Sequence, residues 1–137
     1  MKPVIVACYL MVCFVNTVLA NDAAKAMAAY HSGDISTALA IWKQRAEQGD
    51  EKAQLYLGYL HRIGKGITSD QKKSLYWYKQ SAENGNANAQ YEVGFMYQLG
   101  KGVKQDDWEA ERWYGLAVDQ GYCPGELLEG GVITEID

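Results

Sequence analysis

Residues 46–81, AEQGDEKAQLYLGYLHRIGKGITSDQKKSLYWYKQS, lie over residues 82–117, AENGNANAQYEVGFMYQLGKGVKQDDWEAERWYGLA, without a gap. Twelve of the 36 positions are identical: Ala46/Ala82, Glu47/Glu83, Gly49/Gly85, Ala53/Ala89, Gln54/Gln90, Gly58/Gly94, Gly64/Gly100, Lys65/Lys101, Gly66/Gly102, Asp70/Asp106, Trp77/Trp113 and Tyr78/Tyr114. Two unrelated segments of average composition would share about two. The pairs Leu57/Val93, Tyr59/Phe95, Leu60/Met96, Ile63/Leu99 and Ile67/Val103 keep the apolar character as well. A partial third copy lies upstream, where Asp34, Ala38, Leu39, Ala46 and Gly49 fall in register with Asp70, Ser74, Leu75, Ala82 and Gly85. Downstream only Gly121 keeps the register. A fixed period of this length marks stacked supersecondary units that bury a continuous core between neighbours.

Each unit reads as two helices. Ala53, Leu57, Leu60 and Gly64 make one apolar stripe at helical spacing, which predicts a helix over about 50–63. Gly64-Lys65-Gly66 ends it, and Ile67 is the one apolar residue available to plug the loop. Asp70 caps a second helix to about residue 83, with Ser74, Trp77, Tyr78 and Ser81 facing inward. The next copy gives helices at about 86–99 and 106–119, the latter opened by a capping-box pair, Asp106 and Glu109. A shorter pair at about 22–31 and 34–48 turns at Ser32-Gly33. Between Pro3 and Pro124 no proline interrupts this arrangement. Gly58 and Gly94 stand inside first helices, where glycine costs about 1 kcal/mol against alanine. Their recurrence predicts a close approach beside the Trp77-Tyr78 and Trp113-Tyr114 pairs.

The 137 residues make one domain with five parts: a leader at 1–20, a capping helix pair at 21–49, repeats at 50–85 and 86–121, and a truncated repeat with tail at 122–137. The leader has a basic start, a twelve-residue apolar run from Val4 to Val15 and a Val-Leu-Ala ending, the pattern of a cleavable secretory signal. It is short for a membrane span. The expectation is an exported chain, periplasmic or secreted, with no stable span after cleavage. Cleavage leaves Cys123 as the one cysteine, open to a link with a second chain. A homodimer through Cys123 or through the exposed C-terminal face is expected on that ground. With 13 basic and 17 acidic residues and no basic block, the chain lacks the footprint of a nucleic-acid binder.

The string Ala-Glu-x-Gly-x-x-x-Ala-Gln-x-x-x-Gly, followed by Gly-Lys-Gly-Ile/Val, Asp and Trp-Tyr, resembles the Sel1-like repeat family. The resemblance covers about 34–121. It implies an all-α fold, an α/α solenoid of about three helix pairs related to tetratricopeptide repeats. It also implies an adaptor that holds other proteins, commonly in bacterial envelopes or at host contact. Residues 22–49 resemble the N-terminal cap of exported members. Some exported members carry a cysteine pair in each repeat and have been linked to β-lactam chemistry; this chain lacks those pairs.

Few residues point to chemistry. His31 and His61 have no partner at metal-ligand spacing, and no cofactor is implied. The acidic group Asp106, Asp107, Glu109 and Glu111 lacks the alternating ligands and glycine of a calcium loop. Ser69 and Lys72 fit a Ser-x-x-Lys pair at a helix start, the basis of an alternative reading as an envelope hydrolase or peptidoglycan-associated factor. The companion motifs of that chemistry are missing. Trp42, Trp77, Tyr78, Trp113 and Tyr114 recur on the second helices as core, whereas Trp108 stands where the other copy has Lys72 and is expected to be exposed. Stacked first helices line the binding surface of many solenoids. On that face Lys52, Tyr56 and Tyr59 meet Asn88, Glu92 and Phe95 in the next copy, a candidate groove for a protein or peptide partner. Packing between repeats would use the same aromatic residues.

Overall fold

The structure, a computed structural model, describes residues 21–122. The leader at 1–20 and the segment 123–137 with Cys123 lie outside the described residues. The described residues form six helices and no strand. These are α1 (residues 21–32), α2 (Ile35–Glu47), α3 (Glu51–Ile63), α4 (Gln71–Glu83), α5 (Ala87–Leu99) and α6 (Asp107–Asp119).

Local chemistry sets these boundaries. Asp34, Asp50, Asp70, Asn86 and Asp106 each accept a hydrogen bond from a backbone N–H in the first turn of the helix that follows. Gly64 and Gly100 end α3 and α5 at φ 71° and 64°, the left-handed region in which a side chain is strained. The loops beyond them are pinned the same way in both copies: Asp70 N–H donates to the His61 carbonyl (2.9 Å) and Asp106 N–H to that of Tyr97 (3.1 Å). Ile67 and Val103 turn in against the core from these loops.

Successive helices from α2 onward pack mainly on their chain neighbours, the nearest-neighbour architecture of an α/α solenoid. One core cluster joins α1, α2 and α3 through Ala26, Ala38, Trp42, Ala46, Ala53, Tyr56, Leu57 and Leu60. A second joins α3 to α6 through Leu55, Leu75, Tyr78, Ala82, Ala89, Val93, Met96 and Trp113. Tyr59 packs against both. Ala53, Leu57 and Leu60 are buried as their spacing requires, and so are Ser74, Tyr78 and Ser81. The two buried serine hydroxyls are satisfied by backbone: Ser74 Oγ donates to the Gly58 carbonyl (2.7 Å) and Ser81 Oγ to that of Glu51 (2.6 Å). Trp77 faces inward less completely than Tyr78. It is half-buried, packing against the first core cluster while lying edge-on to Tyr76.

Buried glutamines tie the repeats together. Gln54 Nε2 donates to the Ala46 carbonyl at the end of α2 (3.1 Å), while its Oε1 accepts from Asn84 Nδ2 beyond the end of α4 (3.0 Å). Thirty-six residues on, Gln90 Nε2 donates to the Ala82 carbonyl (3.2 Å) and its Oε1 accepts from Gln120 Nε2 (2.7 Å). Each glutamine therefore joins the C-terminal ends of two successive second helices.

Candidate partner-binding face

The first helices α3 and α5 carry the six residues of the candidate groove. Lys52 and Asn88 are exposed, one in the first turn of each helix. Tyr56, one turn on from Lys52, is only 8% exposed. Its ring stacks on Trp42 of α2 with centroids 4.5 Å apart and planes within 15°. Burial, with the Asp50 carboxylate nearby, pushes its hydroxyl pKa up to about 12. Tyr59 is half-buried, with the Arg62 guanidinium 5.5 Å from its ring centre. Its pKa is raised by burial first and by the charge of the neighbouring Tyr30 second.

Glu92 occupies in α5 the position that Tyr56 holds in α3. A carboxylate there cannot stack, and it pairs with Arg62 of α3 instead, Nη1 to Oε2 at 3.1 Å. Burial raises its pKa, and the Arg62 and Lys101 charges oppose that rise. Phe95 is half-buried with the Lys101 ammonium 5.6 Å from its ring centre. Tyr56 and Tyr59 are thus spent on contacts between helices, and Lys52 and Asn88 are exposed on the face.

A cavity of about 230 Å³ opens at the N-terminal end of this face. Ala23, Ala24 and Met27 of α1, Trp42 and Arg45 of α2, and Asp50, Lys52, Ala53 and Tyr56 line it. Lys52 and Tyr56 belong to the predicted groove; Tyr59, Asn88, Glu92 and Phe95 lie outside the lining. Arg45 Nε donates to Asp50 Oδ2 at 2.7 Å, and the same carboxylate caps α3 through its other oxygen. The rim is therefore an ion pair plus one exposed ammonium, over a floor of alanine, methionine and aromatic carbon. The α1 and α2 contributions lie outside the 36-residue alignment, which is why the sequence did not bring them together.

The serine of the Ser-x-x-Lys pair has a structural partner. Ser69 Oγ donates to the Arg62 carbonyl (3.1 Å), which also accepts from Gln71 Nε2 (3.2 Å), so this hydroxyl fastens the loop at the end of α3. Burial first, and the Lys73 charge second, lower the His61 pKa, which keeps the ring neutral near pH 7. Among the described residues no cluster of three or more His, Cys, Asp or Glu side chains could hold a metal ion. No helix among them is long and apolar enough to cross a membrane.

The model of the Sel1 repeat matches residues 51–86 and again 87–122. The chain belongs to the Sel1 repeat family. No curated protein matches it significantly. Among solved structures it is similar to a Sel1 repeat protein from Oxalobacter formigenes, with 28% identity and TM-score 0.70, over 77% of this chain and 44% of that one. It is also similar to c5321, a protective antigen present in uropathogenic Escherichia coli strains, with 28% identity and TM-score 0.71, over 78% of this chain and 24% of that one. The chain thus spans less than half the length of either neighbour. Sel1 repeats are commonly scaffolds for protein–protein interaction, a binding fold and not typically a catalytic one.

Proposed function

We propose that this Sel1 repeat protein is an exported adaptor that holds a polypeptide partner on the α3/α5 face. Lys52 and Asn88 are its entry groups, and Tyr56, Tyr59, Glu92 and Phe95 form the surface beneath. The observation that carries this reading is the cavity beside Lys52. At about 230 Å³ it is smaller than the roughly 300–1,000 Å³ of small-molecule sites, and it matches one or two projecting side chains. Its floor is apolar and its rim carries charge, the usual division between an anchor pocket and its surround. The leader pattern supports export, and so does the similarity to an antigen of a pathogen.

A photo-crosslinking residue placed at 52 or at 88, in the native host, tests the surface. One polypeptide is expected to be captured from both positions and none from a control at Lys43 on α2. Equal capture from Lys43, or none at 52 and 88, overturns the reading. N-terminal sequencing of the protein from the envelope or medium tests export, with Asn21 as the expected first residue.

A further inference from the structure

The second helices α4 and α6 hold equivalent places one repeat apart, so the same helical positions face outward on both and the two helices run in the same direction. Their outward residues differ sharply. On α4 these are Lys72, Lys73 and Tyr76, the last 55% exposed. The corresponding residues of α6 are Trp108, 69% exposed, half-buried Glu109 and exposed Arg112, the last two paired with each other at 2.8 Å, with exposed Asp107 beside them and Leu116 further along.

Both departures run against what a lone repeat would favour. Lys72 and Lys73 sit in the first turn of α4, where the helix dipole disfavours cations. Neither ammonium forms an ion pair among the described residues. Trp108 leaves a large indole in water. Lysine and tyrosine on one helix thus face outward beside acid, indole and guanidinium on its neighbour.

We propose that this outer face is a self-complementary interface that takes a second copy of the chain. A two-fold axis parallel to the helices, midway between α4 and α6, sets α4 of one copy against α6 of the other, and the reverse. Because the helices run in the same direction, equivalent turns meet. Lys72 and Lys73 then face the Trp108, Asp107 and Glu109 turn, and Tyr76 faces Arg112. Cation–π and ion-pair contacts form twice, as an isologous interface requires. The α3/α5 face remains open, so the dimer would present two copies of the partner-binding surface.

The test is sedimentation velocity of the full chain across a concentration series, under reducing conditions. The wild-type protein is expected to show a monomer–dimer equilibrium that weakens with salt. Lys72→Glu/Lys73→Glu, acidic on both helices, and Asp107→Lys/Glu109→Lys, basic on both, are each expected to lose at least about tenfold in dimer affinity through like-charge contact. Mixed together, these two variants are expected to form a heterodimer tighter than either homodimer, since one helix pair is then wild-type and the other meets with opposite charges exchanged, losing only its cation–π contact. Circular dichroism checks that both remain folded. A wild-type monomer at all concentrations overturns the proposal. So does a dimer indifferent to either double variant, or growth beyond dimer.

Discussion

The ring of Tyr78 lies against the backbone of Gly58: a Cβ at residue 58 would stand 2.5 Å from Tyr78 Cδ1. The same carbonyl region receives Ser74 Oγ, so α3 and α4 meet with no room for a side chain between them. Tyr78 is fully buried and cannot retreat. Gly58→Ala gains about 1 kcal/mol of helix propensity and loses about 1–3 kcal/mol to overpacking. A net loss is expected in urea unfolding. Gly94 faces Tyr114 in the same way, at 2.8 Å, but that ring is half-buried, with its hydroxyl donating to Gln98 Oε1 near the surface. Gly94→Ala is therefore expected to cost less than Gly58→Ala, and Gly94→Leu about 1–3 kcal/mol. Equal losses for the two alanine variants would remove the packing argument.

Tyr56 and Lys52 both line the cavity, yet they answer different questions. Tyr56 is held in the Trp42 stack, so Tyr56→Ala is expected to cost about 3 kcal/mol of stability and to lose any partner through partial unfolding. Lys52 is exposed, and Lys52→Glu places an anion in the first turn of α3, where the dipole favours it. Its stability is expected to stay within about 0.5 kcal/mol of wild type. Partner capture lost in Lys52→Glu at unchanged melting temperature would implicate the surface itself.

The helix pairs were legible because a 36-residue period fixes hydrophobic stripe, cap and terminating glycine together. Asp70 and Asp106 cap where the pattern puts them, and Gly58 and Gly94 lie under rings as their recurrence required. The face was less legible because its contacts use positions that vary between copies. Tyr56 and Glu92 share one place in the repeat but solve it differently, one by stacking on Trp42 and the other by pairing with Arg62. Arg62 has Gln98 as its counterpart, so an alignment that rewards identity passes over it. Gln54 and Gln90 were visible as identities, but their role depends on a second, merely similar pair, Asn84 and Gln120.

Glu92 gives the fold an acid-side signature of unusual sign. Burial raises its folded pKa above the unfolded value, so the folded state binds this proton more tightly. Its contribution to stability is present at low pH and is lost as pH rises through the window between the two values. The capping aspartates Asp34 and Asp70 do the opposite. Hydrogen bonds lower their pKa, from the Thr37 side chain first at Asp34 and from the Lys73 N–H first at Asp70, so their contribution is lost as pH falls. Glu92→Gln is expected to remove the falling component and leave a profile that only rises with pH. Arg62→Met is expected to push that component to higher pH, because the charge that restrains Glu92 is gone. Chemical denaturation across the carboxylate range checks both, and a profile unchanged in Glu92→Gln would place the carboxylate in water.

The glutamine clasps predict where cooperativity fails first. In a nearest-neighbour solenoid, stability is shared between units and the interfaces joining them. The capping pair is held to the first repeat by the Trp42–Tyr56 stack, the Arg45–Asp50 pair and the Gln54 bond to Ala46. Gln54→Met keeps much of the volume and removes both amide bonds. It is expected to cost about 1–3 kcal/mol, since Gln54 is buried and the groups it served lose their partner. Asn84→Ala in the same background should add less than it does alone, with a coupling of about 0.5 kcal/mol or more from the shared Oε1 contact. Hydrogen exchange locates the loss. Amides of α2 are expected to exchange faster in Gln54→Met while those of α5 and α6 keep their protection, because the Gln90 clasp is intact. Uniform acceleration across all the helices would mean that the chain unfolds as one unit and that the clasp does not couple separate ones.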